Sequence, residues 1–316
     1  MLPQPGLKQP AAMLGSMSDP FIGERRPSAT AFGDLSFWRA VGVSGADALA
    51  WLNDLVSADI SQLVPGRACR SLLLSPTGRV RAEFTVAVPG GTPVLLQDPA
   101  QPRAIADLLA PYILSSDVEL QDRTGELALF AFPGRATAPD LAGAAPSAPS
   151  CLGAGADLIG PGRDHHRLLG RLVEAFSAVG NEDLEAWRIA AAIPKFGVDA
   201  LEDDLPQECG LAGAVSFAKG CYLGQEAVAK VRNLGHPRRL LLAMESAGAV
   251  AAGEPVLAGD REVGEVTSAV PLGEGWAMLV RVRWDGRDEP LRTALGTPLR
   301  RRDGRLAGTD RGRSGS

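Results

Sequence analysis

At Arg238 the chain changes texture, and that change limits what it can fold into. Downstream, residues 240–244, 255–257, 262–268, 276–282 and 297–301 are short apolar runs parted by Gly-rich turns, and none of them needs a helix. Short, evenly spaced strands of this kind predict a small β-barrel. Upstream, two hydrophobic periods alternate. Strand-like runs fall at 37–43, 69–74, 80–88, 94–97, 118–121, 127–132 and 157–159, and Ser75-Pro76-Thr77-Gly78 joins the second and third as a hairpin. Helical spacing marks 46–55, where Ser44 reads as N-cap and Asp47 takes the capping-box position, and then 102–109, 166–179 and 181–192. Residues 133–154, with the Ala/Pro/Gly/Ser run 138–149, read as a weak helix or flexible loop. Helices interleaved with hairpin-linked strands favour an α+β class over a doubly wound parallel sheet.

The 316 residues suffice for two or three packed units, and mean hydropathy is near zero at +0.03. No run approaches the ~18 apolar residues of a bilayer span, so no membrane partner is expected. Residues 1–18 lack a basic start and an apolar core, and read as a disordered lead with Met13 or Met17 as alternative starts; residues 303–316 read as a disordered tail. Net charge is −5, which argues against direct nucleic-acid binding. The arginine-rich stretch 300–313 would hold phosphate only non-specifically. Cys69, Cys151, Cys209 and Cys221 are scattered without a C-x-x-C, so a disulfide framework is not expected and a reducing cytoplasm is the simplest setting. His165, His166 and His236 make no zinc-ligand spacing with them, and no metal site is assigned.

The chemistry concentrates in Lys219-Gly220-Cys221-Tyr222-Leu223-Gly224-Gln225-Glu226. Gly220 and Gly224 let the backbone turn tightly and approach a ligand. Residues 225–231 read as a short helix, so Cys221 lies just ahead of a helix N-terminus and two residues from Lys219; both favour the thiolate. A nucleophile, a redox thiol or a soft metal ligand needs that thiolate. The alternative is packing, because free cysteines are among the most buried residues. Lys230, Arg232, His236, Arg238 and Arg239 follow as a basic cluster, which reads as a solvated face or as a dock for an anionic ligand such as a carboxylate tail.

These residues resemble the YgfZ family, relatives of the glycine-cleavage T-protein. The match rests on Lys219-Gly220-Cys221-Tyr222, Gly224-Gln225-Glu226, the run Arg188-Ile189-Ala190-Ala191-Ala192-Ile193-Pro194, and Pro206-Gln207-Glu208. Residues 43–55, the hairpin 72–83 and Gly264-Glu265-Val266-Thr267-Ser268 extend it to about 32–301, with high specificity only in the cysteine motif. The resemblance implies two α+β lobes around a central folate cavity (residues 19–236, lobes about 30–120 and 121–236), then a β-barrel at 237–302. It implies tetrahydrofolate as ligand, a role supporting iron–sulfur assembly proteins or client enzymes, transient contact of Cys221 with a cluster, and an indirect effect on tRNA modification. Cys221 and Lys219 would be catalytic; Gly220, Tyr222, Gly224, Gln225, Glu226, Arg188 and Glu83 would contact the cofactor, with Arg238 and Arg239 on its glutamate tail.

Departures separate the relatives. T-proteins carry an acidic pair after a Gly-Gly turn; here Gly78-Arg79-Val80-Arg81-Ala82-Glu83 keeps one carboxylate, Glu83. Ala190 stands where the T-protein run has a glutamate expected near the pterin. Without both acids, proton transfer in aminomethyl transfer lacks its usual partners. An accessory factor is therefore the expectation, with a tetrahydrofolate-dependent one-carbon transferase as the alternative and a pure binding module as a third reading.

Overall fold

The computed structural model describes residues 29–302; the lead at 1–18 and the tail at 303–316 lie outside the described residues. Among the described residues, sixteen strands and five α-helices follow in order: β1 Ala31–Asp34, β2 Arg39–Ser44, α1 Ala48–Leu55, β3 Ala68–Leu74, β4 Val80–Ala87, β5 Val94–Gln97, α2 Ile105–Leu109, β6 Glu119–Asp122, β7 Leu127–Phe132, β8 Ala145–Ser147, β9 Ala156–Pro161, α3 His165–Val173, β10 Ser177–Val179, α4 Asn181–Ala190, α5 Gln225–Leu234, β11 Arg239–Ser246, β12 Pro255–Ala258, β13 Arg261–Leu272, β14 Gly275–Arg283, β15 Leu291–Thr293 and β16 Pro298–Arg301.

They build two five-stranded sheets, ordered β3-β4-β5-β2-β6 and β10-β1-β7-β9-β8, and a closed barrel β11-β14-β13-β12-β15-β16. The sheets do not divide the chain simply. β1 leaves the N-terminal part to pair antiparallel with β7 and parallel with β10, while β2 stays with β5 and β6. Leu35, Ala40, Leu96, Leu129, Ile159 and Leu184 share a core between the sheets. Trp51, Leu52, Ile105 and Leu109 from α1 and α2 cover the outer face of the first sheet, and Leu168 and Leu172 from α3 that of the second. Trp187 and Ile189 of α4 pack on Val270, Leu272 and Ala277, which seats the barrel against the second sheet's helix. Among the described residues, no helix is long and apolar enough to cross a membrane.

Several local expectations are corrected. The N-cap of α1 is Asp47 rather than Ser44, and its carboxylate accepts the Asp117 N–H instead of capping. The helix read at 166–179 stops at Val173, because Ser177–Val179 joins β1 as a parallel edge strand. Residues 133–154 hold no helix; Ala145–Ser147 pairs with β9. Gly180, not Asn181, caps α4.

Candidate functional site

The motif loop is fastened from below. Lys219 Nζ donates to three backbone carbonyls in the last turn of α1 and just after it: Asn53 at 2.5 Å, Val56 at 2.7 Å and Ala58 at 2.8 Å. An ammonium has three protons, and three acceptors take them. Burial pulls the Lys219 pKa down to about 8, against the opposing pull of Asp59 and Asp54. The ammonium also lies 4.9 Å from the Tyr222 ring centre. Lys219 is thus a clamp for the loop; no donor of its ammonium is left for the neighbouring thiol.

Gly224 begins α5 at φ +82°, and a Cβ there would stand 2.4 Å from the Ser75 carbonyl. Gly78, at φ +75° in the β3–β4 turn, would meet Ala227 at 2.9 Å. These two positions need glycine because the hairpin turn and the start of α5 touch backbone to backbone. Gly220 does not: a Cβ there would meet open space. Tyr222 is buried among Leu72, Phe196, Cys209 and Val228, and its burial pushes the phenol up to about 12. Cys221 alone of the four cysteines is exposed. Cys209 and Cys151 are buried and Cys69 mostly so, and burial raises each thiol, Cys69 to about 11.

A separate cavity of about 290 Å³ opens where the two sheets meet α4. Leu35, Trp38, Leu96, Leu152 and Leu184 give it apolar walls, and Glu83, Asp98 and Glu185 give it carboxylates. Each acid has a basic partner. Glu83 accepts from Arg70 Nε at 2.5 Å, and Arg70 also reaches the Pro194 carbonyl at 2.7 Å. Lys195 lies 3.3 Å from Asp98 and 3.8 Å from Glu185.

Glu185 is held by Arg188, one turn later on α4. Arg188 Nε donates to Glu185 Oε2 at 2.8 Å, and Nη2 bonds the other oxygen. The remaining donors go to Ile193 O (3.1 Å), Asp199 Oδ2 (2.6 Å) and Ser268 Oγ (2.9 Å). All five guanidinium N–H groups are therefore used. Burial alone would raise the Glu185 pKa, but the Arg188 bonds and the Arg188 and Lys195 charges bring it below the usual carboxylate value. Asp199, fully buried, also accepts from Thr267, Ser268 and the Lys195 N–H, which ties α4 to barrel strand β13.

Of the residues singled out by sequence, Glu83 and Arg188 line this cavity; Cys221, Lys219, Gly220, Tyr222, Gly224, Gln225, Glu226, Arg238 and Arg239 are not among its lining residues. The motif loop is anchored elsewhere, on α1 and the hairpin turn, with Leu223 N–H donating to Asp54 O at 3.3 Å. Arg238 and Arg239 line a different cleft beside the barrel. Arg188, for its part, has no donor left for a ligand and acts by fixing Glu185. Ala190 packs toward the barrel and Ala82 toward α1 and α2, so neither alanine faces the cavity.

Glu185, Asp98 and Lys195 were missed by sequence reading. The only signal for Glu185 was its i,i+3 spacing to Arg188, which is also the spacing of an ordinary helix-surface pair. Among the described residues, no group of His, Cys, Asp and Glu side chains is arranged to hold a metal ion.

The chain has the T-protein fold and is similar in sequence to aminomethyltransferases. Its residues 25–144 match the family described as the GCVT N-terminal domain. The chain is 28% identical over 271 residues to the aminomethyltransferase of Geobacillus kaustophilus, covering 74% of this chain and 73% of that enzyme. It is 26% identical over 264 residues to that of Thermosynechococcus vestitus, covering 74% and 71%. A chloroplastic protein of Arabidopsis thaliana with a transferase name is 24% identical over 261 residues; the match spans 74% of this chain and 60% of the plant protein, less than two thirds of its length. The crystal structure of glycine cleavage system aminomethyltransferase T from Bartonella henselae superposes with a TM-score of 0.76 at 17% identity, over 96% of this chain and 91% of that one. That likeness is one of fold.

Proposed function

We propose that the chain is a folate-binding accessory factor for iron–sulfur cluster assembly or repair, which affects tRNA modification indirectly. The observation that carries it is the separation of parts: a carboxylate-lined cavity inside, and the motif thiol Cys221 exposed on another face. A thiol outside the cavity meets macromolecular partners more readily than a ligand held within. An exposed thiol is also within reach of a soft cluster iron or a disulfide-forming partner. The cluster would be cargo or client. In this reading residues 19–236 form the ligand-binding unit and 237–302 the barrel.

The cavity fits a tetrahydrofolate head group in its chemistry. It has apolar walls for a flat ring and anionic acceptors for ring N–H donors, and its volume is near the lower end of ligand sites. Glu185, fixed by Arg188, and Glu83, fixed by Arg70, would hold the ring, with Asp98 and Lys195 at the wall. When bound, tetrahydrofolate supplies a carrier for one-carbon units. Leu35, Trp38 and Leu184 would exclude water from it. Glu185→Ala is expected to weaken tetrahydrofolate binding about tenfold by calorimetry, the loss of one charged hydrogen-bond acceptor. Unchanged affinity would remove the cavity from the proposal.

A one-carbon transferase is the second reading. It is favoured by the relatives' names and by the three cavity carboxylates. Tetrahydrofolate-dependent aminomethyl transfer or demethylation decides between the two readings: turnover that survives Cys221→Ala supports the transferase, and absent turnover the accessory role.

A further inference from the structure

A second concave site lies beside the barrel, where α5 gives way to β11. This cleft, about 680 Å³, is lined on one side by His236, Arg238, Arg239 and Arg283. Register puts Arg239 directly opposite Arg283 across the β11–β14 pair. Like charges in that arrangement oppose strand pairing. Arg283 is relieved by Asp285 at 3.3 Å, but among the described residues neither Arg238 nor Arg239 has an ion-pair or hydrogen-bond partner for its guanidinium. The cleft therefore holds two exposed Arg forks without counter-ions, and a bidentate fork is suited to carboxylate. His236 stacks on Trp284 at 4.5 Å with 4° between planes, so the wall beside them is stiff.

The segment leading into the cleft, residues 226–239, carries four cations and one anion in a chain of net charge −5. Along α5, Lys230 is exposed and Arg232 lies 4.2 Å over Phe217, on the segment that leads to the exposed Cys221. A cleft of this volume, larger than the central cavity, takes an extended segment rather than a single side chain. The opposite rim of the cleft is acidic, with Glu262 and Glu265. A nucleic-acid backbone, uniformly negative, is repelled by that rim, whereas a polypeptide can set its own N–H groups or cationic side chains against it.

We propose that this face docks an acidic, extended segment of a partner protein, its carboxylates gripped by Arg238 and Arg239. Recognition of acidic segments by arginine clusters is a recurring binding mode. The dock would bring that partner up to the C-terminal end of α5, the helix that starts just after the exposed thiol. It stands apart from the folate reading, since the cleft and the central cavity share no lining residue.

The test is fluorescence anisotropy at low ionic strength with the full chain and a fluorescein-labelled peptide of about twelve residues alternating Glu with Ser and one Lys. Saturable binding is expected, with affinity reduced at least tenfold by Arg238→Glu combined with Arg239→Glu. A smaller loss is expected from the paired Gln substitutions, which keep the strands' polarity and guard against misfolding. Arg171→Glu, on α3 and also exposed, should change affinity less than twofold. Absent peptide binding, a double reversal no weaker than wild type, an equal loss from Arg171→Glu, or tighter binding of a dT oligonucleotide of matching length would each overturn the proposal.

Discussion

The central cavity and the motif loop use charge in opposite ways. In the cavity every carboxylate is matched to a fixed cation, and the pairs are tied into the fold: Glu185 to Arg188, Arg188 to Asp199, and Asp199 to β13. At the loop a single half-buried cation, Lys219, is consumed by backbone carbonyls, and the cysteine next to it stays outside. One region is rigid so that a ligand meets preset acceptors; the other is pinned so that a thiol is displayed. Structural cost and chemical cost should therefore separate when the two are mutated.

The largest effect is expected at the cavity. Arg188→Met leaves the fully buried Asp199 without its cation, and removing one member of a buried ion pair costs about 3–5 kcal/mol. Urea unfolding should show this loss, because the same bonds hold α4 to the barrel. An equal loss from Lys219→Met would erase the contrast between the regions.

Next comes a pH effect behind the cavity wall. Asp157, fully buried, accepts from Ser150 Oγ and from the Cys151 N–H at 2.7 Å, and Cys151 lines the cavity. Burial pushes its carboxyl up to about 6 from 3.8. The folded-state pKa is above the unfolded one, so this group's stability contribution is full below about pH 4 and is lost as pH rises through about 6. The shift corresponds to about 3 kcal/mol between those limits. The advantage of wild type over Asp157→Asn in denaturant melts should accordingly be larger at pH 4.5 than at pH 7, by about 2 kcal/mol. A pH-independent difference would mean that the carboxyl is hydrated in the native state.

A smaller loss is expected for the loop. Lys219→Met strands the carbonyls of Asn53, Val56 and Ala58, a cost of about 1–3 kcal/mol. Proteolysis within residues 217–224 should accelerate while the cavity's ligand affinity holds. Loss of ligand affinity in this variant would show that the two regions are coupled.

The barrel was legible from its strand spacing, and Leu127–Phe132 and Val94–Gln97 were placed to the residue, since each is a buried run bounded by turn residues. The end of α3 was not. The apolar stripe Leu168, Leu172, Phe176 continues in helical register, but residues 177–179 pair with a strand 146 positions earlier, a tertiary contact that overrides local pattern. The site divides in the same way. The Cys221 motif is contiguous and stood out as a string. The cavity is assembled from Arg70 and Glu83 on the hairpin, Asp98 after β5, Cys151 and Leu152 before β9, and Glu185 on α4, so no window of sequence contains it. Lys219 illustrates the limit within the motif itself. Two residues from a thiol it reads as an activator, and only the fold shows its ammonium turned to the carbonyls at the end of α1.

The central claim is that the ligand cavity and the displayed thiol are separate functional parts. Wild type and Cys221→Ala should be compared for tetrahydrofolate affinity in vitro and for restoring iron–sulfur enzyme activity in a strain lacking the protein. Affinity within twofold of wild type together with lost rescue is the expected result. Lost affinity, or full rescue by Cys221→Ala, would contradict it.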